Sequence, residues 1–94
     1  KPTVTLIEKE DLDKLVFPPE EVLTDASAKK ERTEALHRSA SLGNLEKHKV
    51  RIIFVDSEST KEVDTTIWAV TDNKVVFKGG RLIPVNRITK VLFN

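Results

Sequence analysis

Val50-Arg51-Ile52-Ile53-Phe54-Val55-Asp56 opens the stretch that decides the fold. Lys61 to Asp72 (KEVDTTIWAVTD) and Lys74 to Phe93 (KVVFKGGRLIPVNRITKVLF) complete it. Apolar and β-branched residues recur there, and the polar breaks carry residues that tight turns need. The pattern predicts about five short strands joined mostly by hairpins. In the first strand Val50, Ile52 and Phe54 share one face, and Arg51, Ile53 and Val55 share the other. Both faces are largely apolar, as in a central strand or one wrapped around a core. Asp56 to Thr60 is a polar loop. The second strand sets Val63, Thr65, Ile67 and Ala69 against Asp64, Thr66, Trp68 and Val70. Asp72-Asn73 and Gly79-Gly80 are read as hairpin turns, because these residues tolerate positive φ. Val75 to Phe77 lies between them. Leu82 to Val85 is the fourth strand, where Pro84 requires a place that has no ladder N–H. A short turn at Asn86 to Ile88 leads into a last strand, Thr89 to Phe93.

Upstream, a helix is expected from Asp25 to Leu42. Thr24 or Asp25 is a competent N-cap, and Gly43-Asn44 is a plausible stop. Its apolar face is thin (Ala28, Ala35, Leu36, Ala40 and Leu42), which suits a helix lying across a small core. Lys29, Lys30, Glu31, Arg32, Glu34 and Arg38 read as a solvated, mixed-sign face. The segment before it is an N-terminal arm. Thr3 to Ile7 alternates weakly, enough for a short strand, and Glu10 to Val16 fits a helical turn or two. Phe17-Pro18-Pro19 then ends that turn. Leu12, Leu15, Val16 and Phe17 are the candidate anchors by which the arm would lie on the sheet; an unanchored, mobile arm is the alternative. The expected organisation is a single domain over 1–94: arm 1–23, helix 24–43 and β-module 48–94.

The 94 residues carry 16 basic and 15 acidic side chains, 38% hydrophobic residues and no cysteine. One modest core is expected of such a chain, and no run approaches a membrane span. The start, KPTVTLIEKED, has no signal-peptide pattern. Since the chain begins at Lys1 rather than Met, it reads as a fragment or a processed chain. Without cysteine there is no disulfide, thiol nucleophile or thiolate metal site, a composition that suits the cytoplasm.

The chain from Leu36 to Phe93 resembles Sm-like and SH3-like small barrels. The resemblance rests on Val50-Arg51-Ile52-Ile53-Phe54, Glu62 to Thr71, Lys74 to Lys78 and Ile88-Thr89-Lys90-Val91. The bacterial Sm-like RNA chaperone and the Rho-binding antiterminator group share this order of strands behind a helix. It implies an α+β, mainly β fold: an N-terminal helix followed by a five-stranded antiparallel small barrel. LGNLEKHKVRIIF, IWAVT, VVFKGG and IPVNRI are also similar to a family of small bacterial proteins of uncharacterised function, and that likeness brings no activity with it.

No residue pattern promises catalysis. His37 and His48 are the only imidazole bases, and neither has triad spacing toward Ser39 or Ser41. Asp56, Glu58, Glu62 and Asp64 are oxygen donors without the glycine and ligand period of a calcium loop, and they read as a solvated acidic turn. Lys78-Gly79-Gly80-Arg81 opens no helix, so it is a hairpin rather than a phosphate cradle. Arg38-Ser39-Ala40-Ser41 resembles a basic kinase site only as short matches do by accident. No enzyme, cofactor or metal is expected. Lys74, Lys78, Arg81, Arg87 and Lys90 are candidate phosphate contacts for RNA if the fold brings them to one rim. Trp68 has two readings, an exposed interface anchor or a ring packed under the helix or arm beside Leu36 or Phe17. The expected function is a non-catalytic binding or adaptor module whose partner is another protein or a second copy of itself. An RNA-binding regulator using the C-terminal hairpins is the alternative.

Overall fold

A computed structural model describes residues 4–46 and 49–93, with the side chains at 9 and 42–46 left out of account. The fold is α+β and mainly β, with one α-helix and seven strands in two sheets among the described residues. In chain order these are β1 (Thr5–Ile7), a 3₁₀ helix (Lys9–Lys14), α1 (Ala26–Glu46), β2 (Val50–Val55), β3 (Thr60–Thr65), β4 (Ile67–Val70), β5 (Lys74–Phe77), β6 (Leu82–Pro84), a 3₁₀ turn (Val85–Arg87) and β7 (Ile88–Phe93). The first sheet has the order β1-β3-β2-β7 and the second β4-β5-β6.

Two features correct the expected five-stranded barrel. The predicted second strand is two strands, divided at Thr66. That residue is buried, and its carbonyl accepts a hydrogen bond from the Lys78 N–H at 3.0 Å. The chain turns there from one sheet into the other without a glycine. Among the described residues no strand pair joins the sheets, so the barrel is not closed. β1 is the added strand, and it pairs parallel to β3, with Leu6 opposite Glu62.

The alternation predicted through strand two also fails at one place. The register slips between Ile67 and Ala69, and Ala69 then faces Val76 while Val70 faces Val75. A β-bulge places an extra residue on one strand and reverses the faces beyond it. Ala69 is therefore exposed and Val70 half-buried, the reverse of the expected order. Trp68 is the residue in the bulge.

The core lies between the sheets and under α1. Val50, Ile52 and Phe54 point inward with Val63, Ile67, Val75, Phe77, Ile83 and Ile88, all fully buried. Of the four phenylalanines, Phe54 and Phe77 are core, whereas Phe93 is 41% exposed at the end of β7, with the Arg38 guanidinium 5.9 Å from its ring centre.

Helix α1 runs four residues past Leu42, through Gly43 and Asn44. A glycine stops a helix when it takes the left-handed conformation. In a helical conformation it costs only about 1 kcal/mol relative to alanine. The buried stripe of α1 is Arg32, Leu36 and Ser39, with Ala28, Ala35 and Ala40 half-buried. Arg32 was expected on the solvated face. It is buried because both terminal nitrogens hold Glu21, each at 2.7 Å, and Nη1 also donates to the Ile88 carbonyl at 3.0 Å. Ser39 donates to the Ala35 carbonyl at 2.7 Å, which removes its need for water. Leu42 was expected on the apolar face, but its side chain lies outside the described residues.

The arm is seated on the fold. Leu12 is buried, and Leu15 and Phe17 pack against the core; the Phe17 and Phe54 rings are 5.8 Å apart. Val16, the fourth expected anchor, is exposed, while its carbonyl accepts from Ser57 N–H at 2.8 Å.

Candidate functional site: the outer face of the second sheet

The second sheet owes its two faces to strand alternation. Val75, Phe77 and Ile83 are buried on its inner side. Directly paired residues in an antiparallel ladder point the same way. The row Ala69, Val76 and Leu82 therefore lies on the outer face, as does the pair Lys74 and Pro84. Lys78 follows on the same side of β5. Leu82 is 44% exposed and the neighbouring Trp68 is 47% exposed. The result is an apolar strip across three strands with a lysine at each end of the central one. Of the two readings of Trp68, burial under α1 is not what the fold produces: it is exposed, on the face opposite the buried Ile67.

The five candidate basic residues are placed very differently. Arg87 is buried, and its guanidinium donates to three carbonyls: Val55 at 2.9 Å, Glu20 at 2.9 Å and Asp56 at 3.2 Å. It ties the arm to the end of β2. Arg81 is half-buried, lies over Gly79 and approaches Asp13 at 3.4 Å. Lys90 sits on the first sheet, opposite Ile53. Only Lys74 and Lys78 share one surface. The fold does not gather the five into a single rim. Nothing in the sequence distinguishes a buried arginine on carbonyls from an exposed one, since the three acceptors come from 31 to 67 residues away.

A charge asymmetry runs along the chain. All fifteen acidic residues stand at or before Asp72, while Lys74, Lys78, Arg81, Arg87 and Lys90 follow it. β4, β5 and β6 contain no carboxylate side chain. Among the described residues Lys74 and Lys78 form no ion pair. Lys78 also borders a polar cleft of about 230 Å³ shared with Glu8, Lys49, Asp64, Thr65 and Thr66. Asp64 in that cleft is engaged by Arg51 at 2.7 Å, which holds its carboxyl below the usual range.

The free edges limit how a partner could attach. Phe77 N–H donates to the Arg81 carbonyl, and Val85 N–H donates to the Asn73 carbonyl. Arg81, Ile83 and Val85 thus turn their backbone groups toward β5, and Leu82 and Pro84 turn theirs outward. Pro84 has no N–H, so the outward edge of β6 offers one donor, at Leu82. The sequence requirement for Pro84 is met in this way. The other boundary of the sheet, β4, packs against α1.

The oxygen donors around the first hairpin are structural. Asp56 is buried; its carboxylate accepts from the Glu58 and Ser59 N–H groups, both at 2.8 Å, and pairs with Lys61. Burial alone would raise its pKa, but the Lys61 ammonium and the two N–H groups outweigh that and lower it. No group of three or more His, Cys, Asp or Glu suited to a metal ion occurs among the described residues. His37 is exposed, in a shallow cleft with Thr33, Val70 and Asp72, and His48 lies outside the described residues. No described helix is long and apolar enough to cross a membrane.

Comparison with protein-family models, with curated proteins and with solved structures finds no match to this chain. The geometry of the surface is therefore the ground for any functional reading.

Proposed function

We propose that this protein is a non-catalytic binding or adaptor module that engages a protein partner through the outer face of β4, β5 and β6. The observation that carries this reading is the exposure of Trp68 and Leu82 on one face, with Ala69 and Val76 between them. Tryptophan in such a setting supplies large apolar area and is over-represented among residues that dominate binding energy. Self-association through this same face is included in the proposal. Pairing through the β6 edge is disfavoured, because Pro84 withholds a donor. The layout behind the face, a helix followed by strands split at a bend, supports an opened relative of the Sm-like or SH3-like barrel as the scaffold.

The RNA-binding reading keeps one specific support, the two lysines beside an exposed indole. Against it, Arg87 spends its guanidinium group inside the fold, and Arg81 is half-buried beside Asp13.

The test is to identify captured proteins, purify each, and measure its affinity for wild type, Trp68→Ala and Leu82→Ser. A directly binding partner whose affinity falls at least about tenfold in both variants, with unchanged melting temperature, is the expected result. Partners that bind the variants as tightly as wild type would end this reading. Light scattering on the same samples reports whether the partner is a second copy. Labelled single-stranded RNA titrated over a salt series tests the alternative, for which a steep loss of affinity with salt is required.

A further inference from the structure

We infer that the partner presented to this face is an acidic protein segment: apolar side chains at its centre, carboxylates on either side, docked side-on across the strands. This rests on the protein-binding reading above and names the chemistry of the partner.

Three observations converge on it. The first is the order of side chains along β5. Lys74, Val76 and Lys78 alternate outward, so the two ammonium groups flank the apolar strip. Four residues of strand separate them by about 13 Å. The second is the missing counter-charge. The three strands carry no carboxylate, and no acidic residue follows Asp72. The acidic surplus of the molecule lies in the segments before that point. The carboxylates nearest Lys78, Glu8 and Asp64, lie across a cleft at its edge, and Asp64 is already held by Arg51. The strands of the face offer two ammonium groups and no carboxylate, which favours negative charge in whatever covers it and disfavours like-charged segments. The third is the state of the edges. α1 packs against β4, and Pro84 leaves the outward edge of β6 with a single donor, so extension of the sheet by backbone pairing is disfavoured. Recognition then falls to side chains on the face.

The same observations favour an acidic peptide over a nucleic-acid strand. A strand of phosphates needs cations along its whole track, and here Val76 occupies the interval between the lysines. Its bases would find one indole, whereas single-strand binders stack successive bases on several rings. Of the guanidinium groups after Asp72, Arg87 is fully engaged by carbonyls and Arg81 lies half-buried against Asp13. A segment with one apolar cluster and separated carboxylates matches the strip instead.

The experiment is an unbiased selection of displayed random peptides on the whole protein, run in parallel on wild type, the double variant Lys74→Glu/Lys78→Glu, and Trp68→Ala. Trp68 is the sole tryptophan, so its emission reports binding of each selected peptide, synthesised without Trp, in solution. Lys74 and Lys78 are exposed, and circular dichroism melts confirm that the charge-swapped protein is folded. Wild type is expected to enrich Asp and Glu around aromatic or aliphatic residues. The charge swap is expected to weaken those peptides at least tenfold and to enrich Lys and Arg in their place. Enrichment of neutral or basic apolar peptides that still need Trp68 would overturn the acidic-partner inference while leaving the protein-binding reading intact. Peptides indifferent to Trp68→Ala, or no enrichment at all, would sink both. Poly(U) that perturbs Trp68 emission with steep salt dependence, where no peptide does, would overturn both in favour of RNA.

Discussion

Arg87 shows how misleading a residue's type is before its neighbours are known. In the sequence it is one cation in a basic stretch. In the fold it supplies three hydrogen bonds to carbonyls of the arm and of the β2 end. Backbone acceptors buried beside it would lose their partners if it were shortened. Arg87→Met is expected to destabilise the protein by about 2–4 kcal/mol. Urea unfolding followed by Trp68 fluorescence and circular dichroism measures this. A variant with an unchanged midpoint and weakened RNA binding would instead make Arg87 a phosphate contact. Arg32 follows the same logic. Its guanidinium links the arm, α1 and β7 through Glu21 and the Ile88 carbonyl, and neither partner is close to it in sequence.

At the scale of elements, the turns were readable and the strand faces only partly so. Gly79 and Gly80 have φ of 95° and 85°, the left-handed region that favours glycine. The hairpin closes with Gly80 N–H on the Phe77 carbonyl and Phe77 N–H on the Arg81 carbonyl. A side chain at Gly79 would add a contact of 3.1 Å with Arg81 Nη1 to the backbone strain. Gly79→Ala is expected to cost about 1–2 kcal/mol. Thermal unfolding should show a lowered midpoint, and an unchanged melting curve would mean the turn readily relaxes to another type. The short turn after β6 was also legible, though it spans Val85–Arg87, one residue earlier than the expected Asn86 to Ile88. The bulge at Trp68 was not. Period-two alternation tells which residues share a face only while the ladder stays in register. One extra residue between Ile67 and Ala69 reversed the reading of Ala69 and Val70. No residue in TTIWAV marks that slip.

Across the whole molecule, ion pairs tie the arm to α1 and brace β2 against β3, and their carboxylates titrate in the acid range. Arg32, hydrogen-bonded to Glu21, depresses that carboxyl from 4.5 to about 2. Asp56 and Asp64 are also lowered, Asp64 by Arg51 and Asp56 by Lys61 and two N–H groups against the effect of burial. A carboxylate whose pKa is lower in the folded state stabilises the fold above its unfolded pKa. That contribution disappears as pH falls through the folded value. Stability from these groups should therefore be constant from neutrality to about pH 5 and decline from there toward pH 2. Glu21→Gln should lower stability at pH 7 by about 2 kcal/mol, after allowance for Glu21's partial exposure, and flatten the acid limb. Urea midpoints at pH 7, 5 and 3 for both proteins decide it. A wild-type midpoint that does not fall below pH 5 would contradict the assignment.

The chain by itself determined that this is a mainly β fold with one helix, where its hairpins turn, and that Val50, Ile52 and Phe54 share one face of their strand. Those features are local. They follow from residue spacing, from positive φ at glycine and from the two-residue period of a strand. Tertiary structure alone decided that the barrel stays open, that β1 adds itself to β3, that Arg32 and Arg87 are internal ties, and that Trp68 is exposed. Each of these depends on contacts between residues far apart in the chain, or on a one-residue slip in a ladder. Neither leaves a mark on composition or period, because burial of a charged side chain is set by the acceptors the fold brings to it.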